Sequence, residues 1–264
     1  DTSTAFAGGL AAFLNKVPVA HIEAGLRSGR MDSPFPEEAN RVLLSNIATL
    51  HLAPTQGAAD NLNTEGISQG VHVVGNTVVD ALLLGLEIIK NRGEESYFKK
   101  YNMIDFDREL ILITIHRRES FGEPIKKICK AIRTIAERHP GKTLVYPVHP
   151  NPNVRNVVEA ELAGVDNLRL LDPLEYSDFI WMMSKSSLIL TDSGGVQEEA
   201  PTLGIPVMVA REVTERSEGV DAGAAVMVGA DCDLIVRKAD ELLALSEADR
   251  AGIVNPYGDG KTSS

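Results

Sequence analysis

The residues with the clearest chemical potential lie in a turn that follows a predicted strand. Residues 190–200 read LTDSGGVQEEA, an apolar strand end followed by small residues and the start of a helix. Ser193, Gly194 and Gly195 let backbone N–H groups approach an anion, and the N-terminal end of a helix favours negative charge. A serine N-cap with glycines for tight packing is the alternative interpretation. Glu199 follows one turn later, where its carboxylate can accept hydrogen bonds from ribose hydroxyls.

A basic group follows another predicted strand. His116, Arg117 and Arg118 come directly after the apolar residues 110–115. Arginine supplies fixed positive charge and histidine supplies a charge or a proton near neutral pH, so this group suits a phosphate or a leaving-group oxygen. Solvated charges of a linker are an equal alternative. Arg216 follows a later strand, from which it can reach the same anion.

Carboxylates dominate a third group, in the first part of the chain. Glu23 comes just after a predicted buried strand that contains His21, and a charge beside a buried strand needs a partner or a purpose. Glu37 and Glu38 stand at the start of a predicted helix, where complementing the helix dipole is their default role. We expect a change at Glu38 to have little effect.

The elements that position these groups alternate between short β-branched runs and longer helical stretches. In the first part the predicted strands are 17–22, 50–53 and 71–74, and the predicted helices are 36–48, 55–65 and 78–89. In the second part the strands are 110–115, 143–148, 167–171, 187–191, 206–209 and 226–228, and the helices are 123–138, 153–163, 196–203 and 234–245. This pattern is typical of parallel sheets covered on both faces, whose ligands bind beyond the carboxyl ends of the strands. A linker near residues 75–105 divides the chain into domains 1–75 and 76–264.

Composition excludes several classes of function. The chain has 264 residues with 26 Lys and Arg against 37 Asp and Glu, a formal net charge of −11. This acidic balance argues against a nucleic-acid partner or an anionic membrane surface. No apolar run approaches the roughly 18 to 20 residues of a membrane helix. Cys129 and Cys232 lack metal-ligand spacing, so we expect no metal site and two free thiols in a reducing, cytoplasmic compartment.

Seven segments, taken together, resemble the non-hydrolysing UDP-N-acetylglucosamine 2-epimerases. In chain order they read HIEAGLRSG, SPFPEEANR, HRRESFG, YPVHPNPNVR, LTDSGGVQEEAPTLGIPV, TERSEGV and NPYGDG. The resemblance implies an α/β fold of two Rossmann-like, doubly wound parallel-sheet domains with a cleft between them, the GT-B-like architecture of many nucleotide-sugar glycosyltransferases. It also implies that the chain is a fragment whose first domain is incomplete.

The resemblance assigns roles to positions that match the family's motifs. Asp1, Glu23 and Glu37 match acid/base carboxylates, and His116 matches a histidine that lies near the diphosphate and is implicated in catalysis. The substrate-binding positions are the turn residues Ser193, Gly194 and Gly195, the ribose contact Glu199, the arginine Arg216, Phe179 near the uracil, and Leu174. Some relatives carry Gln at the position of Leu174, so we expect only a backbone contact there. His149 matches a residue near a second, regulatory UDP-GlcNAc site.

The implied reaction interconverts UDP-GlcNAc and UDP-ManNAc by elimination of UDP to 2-acetamidoglucal and re-addition. The chain contains no GxGxxG turn for NAD, so we expect turnover without a cofactor. The resemblance also suggests a homodimer. A glycosyltransferase of the same architecture, a hydrolysing epimerase and a non-catalytic fragment that binds UDP-sugars are the alternatives.

Overall fold

The structure is a computed structural model that describes residues 1–263, apart from the side chains of Glu247 and Ala251. Ser264 lies outside the described residues. The chain folds into two compact units. Unit 1 contains residues 1–81, 213–218 and 256–263, and unit 2 contains residues 82–212 and 219–255.

Unit 1 is built around a small parallel sheet. Its elements in chain order are α1 (Ser3–Leu14), β1 (Ala20–Ile22), α2 (Glu37–Ile47), β2 (Leu50–Ala53), α3 (Gln56–Thr64), β3 (Val71–Val73) and the start of α4 (Thr77–Arg92). The three strands pair in the order β1-β2-β3, all parallel. Thr55 caps α3, because its side chain accepts a hydrogen bond from the N–H of Ala58.

Unit 2 carries the larger sheet. After the end of α4 its elements are α5 (Glu95–Lys100), β4 (Leu110–Thr114), α6 (Glu123–Arg138), β5 (Thr143–Pro147), α7 (Pro152–Glu161), β6 (Leu168–Leu171), α8 (Tyr176–Ser184), β7 (Ser186–Thr191), α9 (Val196–Thr202), β8 (Val207–Val209), the end of α10 (Ser217–Asp221), β9 (Ala225–Met227), α11 (Cys232–Leu243) and α12 (Glu247–Ala251). The six strands are all parallel.

The strand order of unit 2 creates a switch point. The order is β6-β5-β4-β7-β8-β9, which counted along the chain is 3-2-1-4-5-6, the doubly wound Rossmann order. The direction of winding therefore reverses between β4 and β7. Ligands of such sheets bind beyond the carboxyl ends of the strands at this point. Here those ends are Thr114 and Thr191, the residues that precede the two predicted groups of unit 2.

The central strands of unit 2 are buried on both faces. Every residue of β4 and β7 is buried. Because successive side chains of a strand point to opposite faces, Ile111 and Ile113 belong to one core cluster, with α6 and α11, while Leu110 and Leu112 belong to another, with Trp181. The predicted α/β class with parallel sheets is confirmed, and so are covered strands in unit 2. The predicted buried strand 17–22 of unit 1 is wrong in its burial, because β1 begins at Ala20 and both Ala20 and Ile22 are exposed.

Three features of the fold differ from the predictions. Helices α1, α5, α8, α10 and α12 have no predicted counterpart. Of these, α1 and α8 are apolar over most of their length and show no clear helical period. The expected linker at 75–105 is mostly helical, with α4 continuing to Arg92. The compact units change between residues 81 and 82, and residues 213–218 and 256–263 return to unit 1. The division into domains 1–75 and 76–264 stays a prediction.

Candidate functional site

A hydrogen bond links the ends of β4 and β7 at the switch point of unit 2. The hydroxyl oxygens of Thr114 and Thr191 lie 2.7 Å apart, both in buried residues. The buried hydroxyl of Tyr146 donates to the carbonyl of Ile115 at 2.9 Å. These contacts satisfy the polar groups at the strand ends and fix the start of the loops that follow.

Asp192 organises the loop that contains His116. This carboxylate is fully buried and accepts hydrogen bonds from the N–H groups of His116 at 2.9 Å and Arg117 at 2.8 Å, and from the hydroxyl of Ser120 at 2.9 Å. A buried carboxylate with several donors is a rigid anchor, since losing any donor leaves charge uncompensated. The backbone that carries His116 is therefore held from the end of the neighbouring strand.

The His116 side chain is partly exposed and lies beside a second histidine. Its ring stacks on that of His149, with centroids 5.9 Å apart and planes at 21°. Its Nδ1 lies 3.5 Å from a carboxylate oxygen of Asp192. Burial lowers the pKa of His116 below its ordinary value, Arg117 and His149 lower it further, and the charge of Asp192 opposes them. His116 is therefore biased towards the neutral form near pH 7.

The Ser193–Gly195 turn leaves backbone donors available. The N–H of Ser193 donates to the Thr191 hydroxyl at 2.9 Å, whereas the structure gives the N–H groups of Gly194 and Gly195 no acceptor among the described residues. Gly195 has helical backbone angles, and an added Cβ would meet only a carboxylate oxygen of Glu199, at 3.9 Å. Protein packing therefore does not require glycine at 195, and the open space suits a bound group.

Glu199 lies where the ribose contact is predicted. It is 5% exposed, and its Oε1 accepts a hydrogen bond from the Tyr176 hydroxyl at 3.0 Å. Burial raises the pKa of Glu199, and the hydrogen bond from Tyr176 opposes that shift. Burial and the neighbouring carboxyl group raise the pKa of Tyr176 as well, so the tyrosine remains a donor.

His116, Tyr176, Ser193 and Glu199 line one cavity within unit 2. Its volume is about 320 Å³, at the lower end of the range for ligand pockets. It is mainly apolar with a few convergent polar groups. Its lining residues are Thr114, His116, Pro147, His149, Pro173, Leu174, Tyr176, Phe179, Ser193, Val196 and Glu199. Sequence separates three of its segments, around residues 116, 176 and 195, and the structure brings them together. Arg216 is not among these lining residues, and it belongs to unit 1.

In unit 1, Glu23 has a backbone conformation that is rare for its type. Its φ is +65°, in the left-handed region that non-glycine residues seldom adopt. Gly25 follows with φ of +87°, and a side chain there would collide with the carbonyl oxygen of Ala58. Backbone strain of this kind clusters at functional sites. The carboxylate accepts hydrogen bonds from Asn76 at 3.2 Å and Arg216 at 3.3 Å.

Arg216 and Asp1 belong to the same network as Glu23. The Arg216 guanidinium also pairs with Glu215, and the buried hydroxyl of Tyr257 donates to its backbone carbonyl at 3.2 Å. Asp1 pairs with Arg41 at 2.7 Å, and Arg41 in turn lies 3.6 Å from Glu215. Two of the three predicted acid/base carboxylates and the predicted substrate-binding arginine are thus connected within unit 1.

The adjacent glutamates of α2 have different environments from those expected. Glu38 is 2% exposed, accepts hydrogen bonds from the N–H groups of Ser28 and Gly29 at 3.0 and 3.1 Å, and pairs with Arg41 at 3.3 Å. The helix-dipole role expected for Glu38 is therefore wrong, because its carboxylate is a buried acceptor for two backbone N–H groups and one arginine. The expected small effect of a change at Glu38 stays a prediction. Glu37 is half-buried beside it, and its acid/base role stays a prediction.

Several residues of these networks carry no sequence signal for their contacts. Asp192 appears in the quoted turn without a predicted role, and Arg41 and Glu215 join positions far apart in the chain. Tyr257 lies in a segment whose pattern predicts only a turn. It is fully buried, and its carbonyl accepts a hydrogen bond from the N–H of Asn76. Asn76 is therefore fixed next to Glu23 by a segment from the other end of the chain.

The described part of the chain lacks two kinds of feature. Within residues 1–263, no group of three or more His, Cys, Asp or Glu side chains is placed to hold a metal ion. No described helix is both long and apolar enough to cross a membrane.

Comparison with known proteins gives one consistent result. The sequence model of the UDP-N-acetylglucosamine 2-epimerase family matches residues 1–264. The UDP-N-acetylglucosamine 2-epimerase of Escherichia coli K12 is 46% identical over 274 residues, covering 100% of this chain and 72% of that protein. The enzyme of the same name from Yersinia pestis is 45% identical, covering 98% of this chain and 70% of its own length.

Solved structures agree with the sequence relatives. The UDP-GlcNAc 2-epimerase of Neisseria meningitidis, bound to UDP-GlcNAc, matches with a TM-score of 0.95 and 46% identity, covering 100% of this chain and 72% of that chain. The UDP-GlcNAc 2-epimerase of Methanocaldococcus jannaschii, in complex with UDP-GlcNAc and UDP, matches with a TM-score of 0.88 and 36% identity, covering 99% and 71%. The expected relation to this architecture is confirmed.

Proposed function

Because the chain belongs to the UDP-N-acetylglucosamine 2-epimerase family, we propose that it interconverts UDP-GlcNAc and UDP-ManNAc without hydrolysis. The observation that carries the proposal is the cavity of unit 2, where His116, Leu174, Phe179, Ser193 and Glu199 form one lining. All five were assigned to the nucleotide-sugar site from sequence motifs. The relative from Neisseria meningitidis, similar over the whole chain, binds UDP-GlcNAc.

The chemistry explains why both acid/base groups and anion donors are needed. The C2 proton of the sugar has no adjacent carbonyl to acidify it, so a carboxylate alone removes it too slowly. When the C1–O bond breaks, UDP leaves with the bonding electron pair and C1 gains positive character. The C2 proton then becomes acidic, and its removal gives 2-acetamidoglucal. Return of UDP to C1 and of a proton to the opposite face of C2 gives the epimer.

Unit 1 supplies the acid/base groups in this proposal. Glu23 and Asp1 are about one-third exposed at their side chains, so their carboxylates can exchange protons, while their paired arginines are buried. Glu37 completes the proposed set. Proton transfer by positioned carboxylates contributes roughly 10²- to 10⁴-fold to a rate. Arg216, held by Glu23 and Glu215, is the proposed substrate-binding arginine of this unit.

Unit 2 supplies the groups that hold the nucleotide and stabilise the leaving diphosphate. The N–H groups of Gly194 and Gly195 have no acceptor in the described chain, and His116 stands in the same cavity lining as Ser193. Fixed donors aimed at developing negative charge lower the barrier to bond breaking. Glu199 is proposed to accept from the ribose hydroxyls, and Phe179 to contact the uracil, with Leu174 offering its backbone.

The test is incubation of the protein with UDP-GlcNAc as the sole substrate in deuterated water, followed by NMR. We expect UDP-ManNAc to appear without an acceptor or an added cofactor, with deuterium at C2 of both sugars. Free ManNAc with UDP would indicate the hydrolysing reaction. Binding of UDP without any product would contradict the proposed epimerase activity and leave a binding protein or an acceptor-dependent transferase.

We further propose a cytoplasmic homodimer. The location rests on Cys129 and Cys232, which form no disulfide in the structure, as expected for thiols of a reducing compartment. Light scattering of the purified protein tests the dimer. A second, regulatory UDP-GlcNAc near His149 is part of the same proposal. In this structure His149 lines the cavity that contains His116, so titration with UDP-GlcNAc should distinguish one site from two.

A further inference from the structure

Five charged side chains of alternating sign lie in a row inside unit 1. Arg41 contacts Asp1 at 2.7 Å and Glu215 at 3.6 Å with the same nitrogen, Nη2. Glu215 contacts Arg216 with the oxygen that also faces Arg41, and Arg216 contacts Glu23 at 3.3 Å. The row is therefore Asp1, Arg41, Glu215, Arg216 and Glu23. Its members come from four separate parts of the chain, so only the fold assembles it.

Exposure changes along this row in a consistent way. The Glu215 side chain in the centre is 1% exposed, and those of Arg41 and Arg216 are 4% and 7% exposed. The terminal carboxylates, Asp1 and Glu23, are 29% and 32% exposed. Glu215 is thus inaccessible to a substrate, whereas the carboxylates at both ends of the row reach the surface. Buried charges of this kind persist only when each has an opposite partner with good geometry.

We propose that Glu215 is a positioning residue for the acid/base carboxylates Asp1 and Glu23, an inference that rests on the proposed function. Glu215 contacts neither carboxylate. It balances the charges of Arg41 and Arg216 and so fixes where each guanidinium presents its remaining N–H groups. Without its negative charge, two buried arginines compete for Asp1, Glu23 and the other carboxylates around them. The terminal carboxylates are then drawn towards the arginines and away from the geometry that proton transfer needs.

Kinetics distinguish this role from a contribution to folding alone. Glu215→Gln keeps the shape and removes the charge, and we expect kcat to fall roughly 10- to 100-fold, since small misplacements of reacting groups cost about this much. Because Arg216 is also the proposed substrate-binding arginine, KM should rise as well, but by a smaller factor than kcat falls. Glu215→Asp retains the charge and should recover most of the lost kcat. Circular dichroism and thermal unfolding establish that each variant is folded. If Glu215→Gln does not fold, Glu215→Asp should still show a kcat below that of the parent protein, with a smaller change in KM.

The control is an ion pair of the same unit that lies outside the row. Glu65 accepts hydrogen bonds from Nε and Nη2 of Arg27, both at 2.7 Å. Glu65→Gln removes a carboxylate from a paired arginine just as Glu215→Gln does. We expect kcat of Glu65→Gln to stay within about twofold of the parent protein.

A measurement without substrate separates this inference from the proposed function. NMR of the labelled guanidinium groups reports how fast each rotates. We expect slow rotation for Arg41 and Arg216 in the parent protein, faster rotation of both in Glu215→Gln, and no change for Arg27. Glu65→Gln should speed Arg27 alone. Unchanged rotation of Arg41 and Arg216 in Glu215→Gln would overturn the inference, as would an unchanged kcat in an active enzyme. Absence of epimerisation by the parent protein would instead contradict the proposed function.

Discussion

The candidate sites of the two units consist of different kinds of polar group. In unit 2 a single buried carboxylate, Asp192, accepts hydrogen bonds from uncharged backbone and hydroxyl groups, and the cavity beside it is mainly apolar. In unit 1 charged side chains pair with one another along a row from Asp1 to Glu23. A ligand that carries its own negative charge needs free, neutral donors, whereas proton transfer needs carboxylates held by balanced charge. The difference therefore teaches that each unit suits one half of the proposed reaction.

Glu23→Gln tests this division and has the largest expected effect. We expect kcat to fall about 100-fold or more, equivalent to about 2.7 kcal/mol, because an amide cannot exchange the C2 proton. UDP affinity, measured by calorimetry, should stay within about twofold, since the proposed contacts to the uracil, the ribose and the Ser193 turn lie in unit 2, and Arg216 keeps its pair with Glu215. The exposed Asp60 supplies the control Asp60→Asn, with unchanged kcat. A large loss of UDP affinity in Glu23→Gln would break the division between the units.

Sequence predicted the site of unit 2 more completely than that of unit 1. The unit 2 site has two main parts, and each is a continuous stretch of sequence. One is the strand end with His116, and the other is the strand end, turn and helix start at residues 191–199. Parallel strands with covered faces then bring both halves to one edge of a sheet, as the order around β4 and β7 shows. Local pattern and general topology predicted these two segments, whereas Leu174 and Phe179 rested on the family resemblance and Tyr176 was not predicted.

Unit 1 was predicted less completely because its contacts are not local. Glu23 attracted notice through its type and place after a strand, but the pairing of Arg41 with Glu215 joins residues 174 positions apart (215 − 41). No periodicity or turn chemistry encodes such a pair. The left-handed backbone of Glu23 is likewise visible only in the structure. The error at Glu38 has the same origin, because a helix-start glutamate reads alike whether it faces water or a buried arginine.

A second test concerns how the stability of unit 1 responds to pH. The expected change in the free energy of unfolding is about 2 kcal/mol. Burial, together with the positive charges of the amino terminus, His51, Arg27 and Arg41, lowers the pKa of His21 to about 4. Between pH 6.5 and 4 the unfolded chain binds a proton that folded unit 1 excludes. Protonation of His21 in the unfolded chain therefore costs no stability above pH 6.5. As the pH falls towards 4, it progressively lowers the free energy of unfolding.

Urea unfolding followed by NMR signals of unit 1 checks this at pH 7 and pH 5. We expect the stability lost between the two values to be smaller by about 2 kcal/mol in His21→Leu than in the parent protein. His72→Gln, at an exposed residue of β3, is the matched control and should retain the parent's loss. An equal loss in His21→Leu would show that other groups cause the acid response.

Asp192→Asn tests the neutral anchor of unit 2, with an expected effect near tenfold, or about 1.4 kcal/mol. An amide offers one acceptor oxygen in place of two, so part of the hydrogen bonding to His116, Arg117 and Ser120 is lost. The negative charge that raises the pKa of His116 also disappears. We therefore expect kcat/KM to fall about tenfold and its acid limb to move to lower pH. Asp172→Asn, at an exposed carboxylate, should leave both unchanged, and an unmoved limb in Asp192→Asn would separate Asp192 from His116.

Tyr176→Phe has the smallest expected effect. It tests whether the Glu199 carboxylate of unit 2 needs the hydrogen bond from Tyr176 to bind UDP. The Tyr176 hydroxyl donates to Glu199 at 3.0 Å, and that bond opposes the rise in the pKa of Glu199 caused by burial. Without the bond the pKa of Glu199 rises further, so less carboxylate is available to accept from a ribose. We expect UDP affinity by calorimetry to fall two- to fivefold at pH 7, roughly 0.5 to 1 kcal/mol, and more at pH 6. Glu175→Gln, one residue away and exposed, should bind UDP normally. A loss that does not grow towards pH 6 would mean that Tyr176 acts by contact with the nucleotide rather than through Glu199.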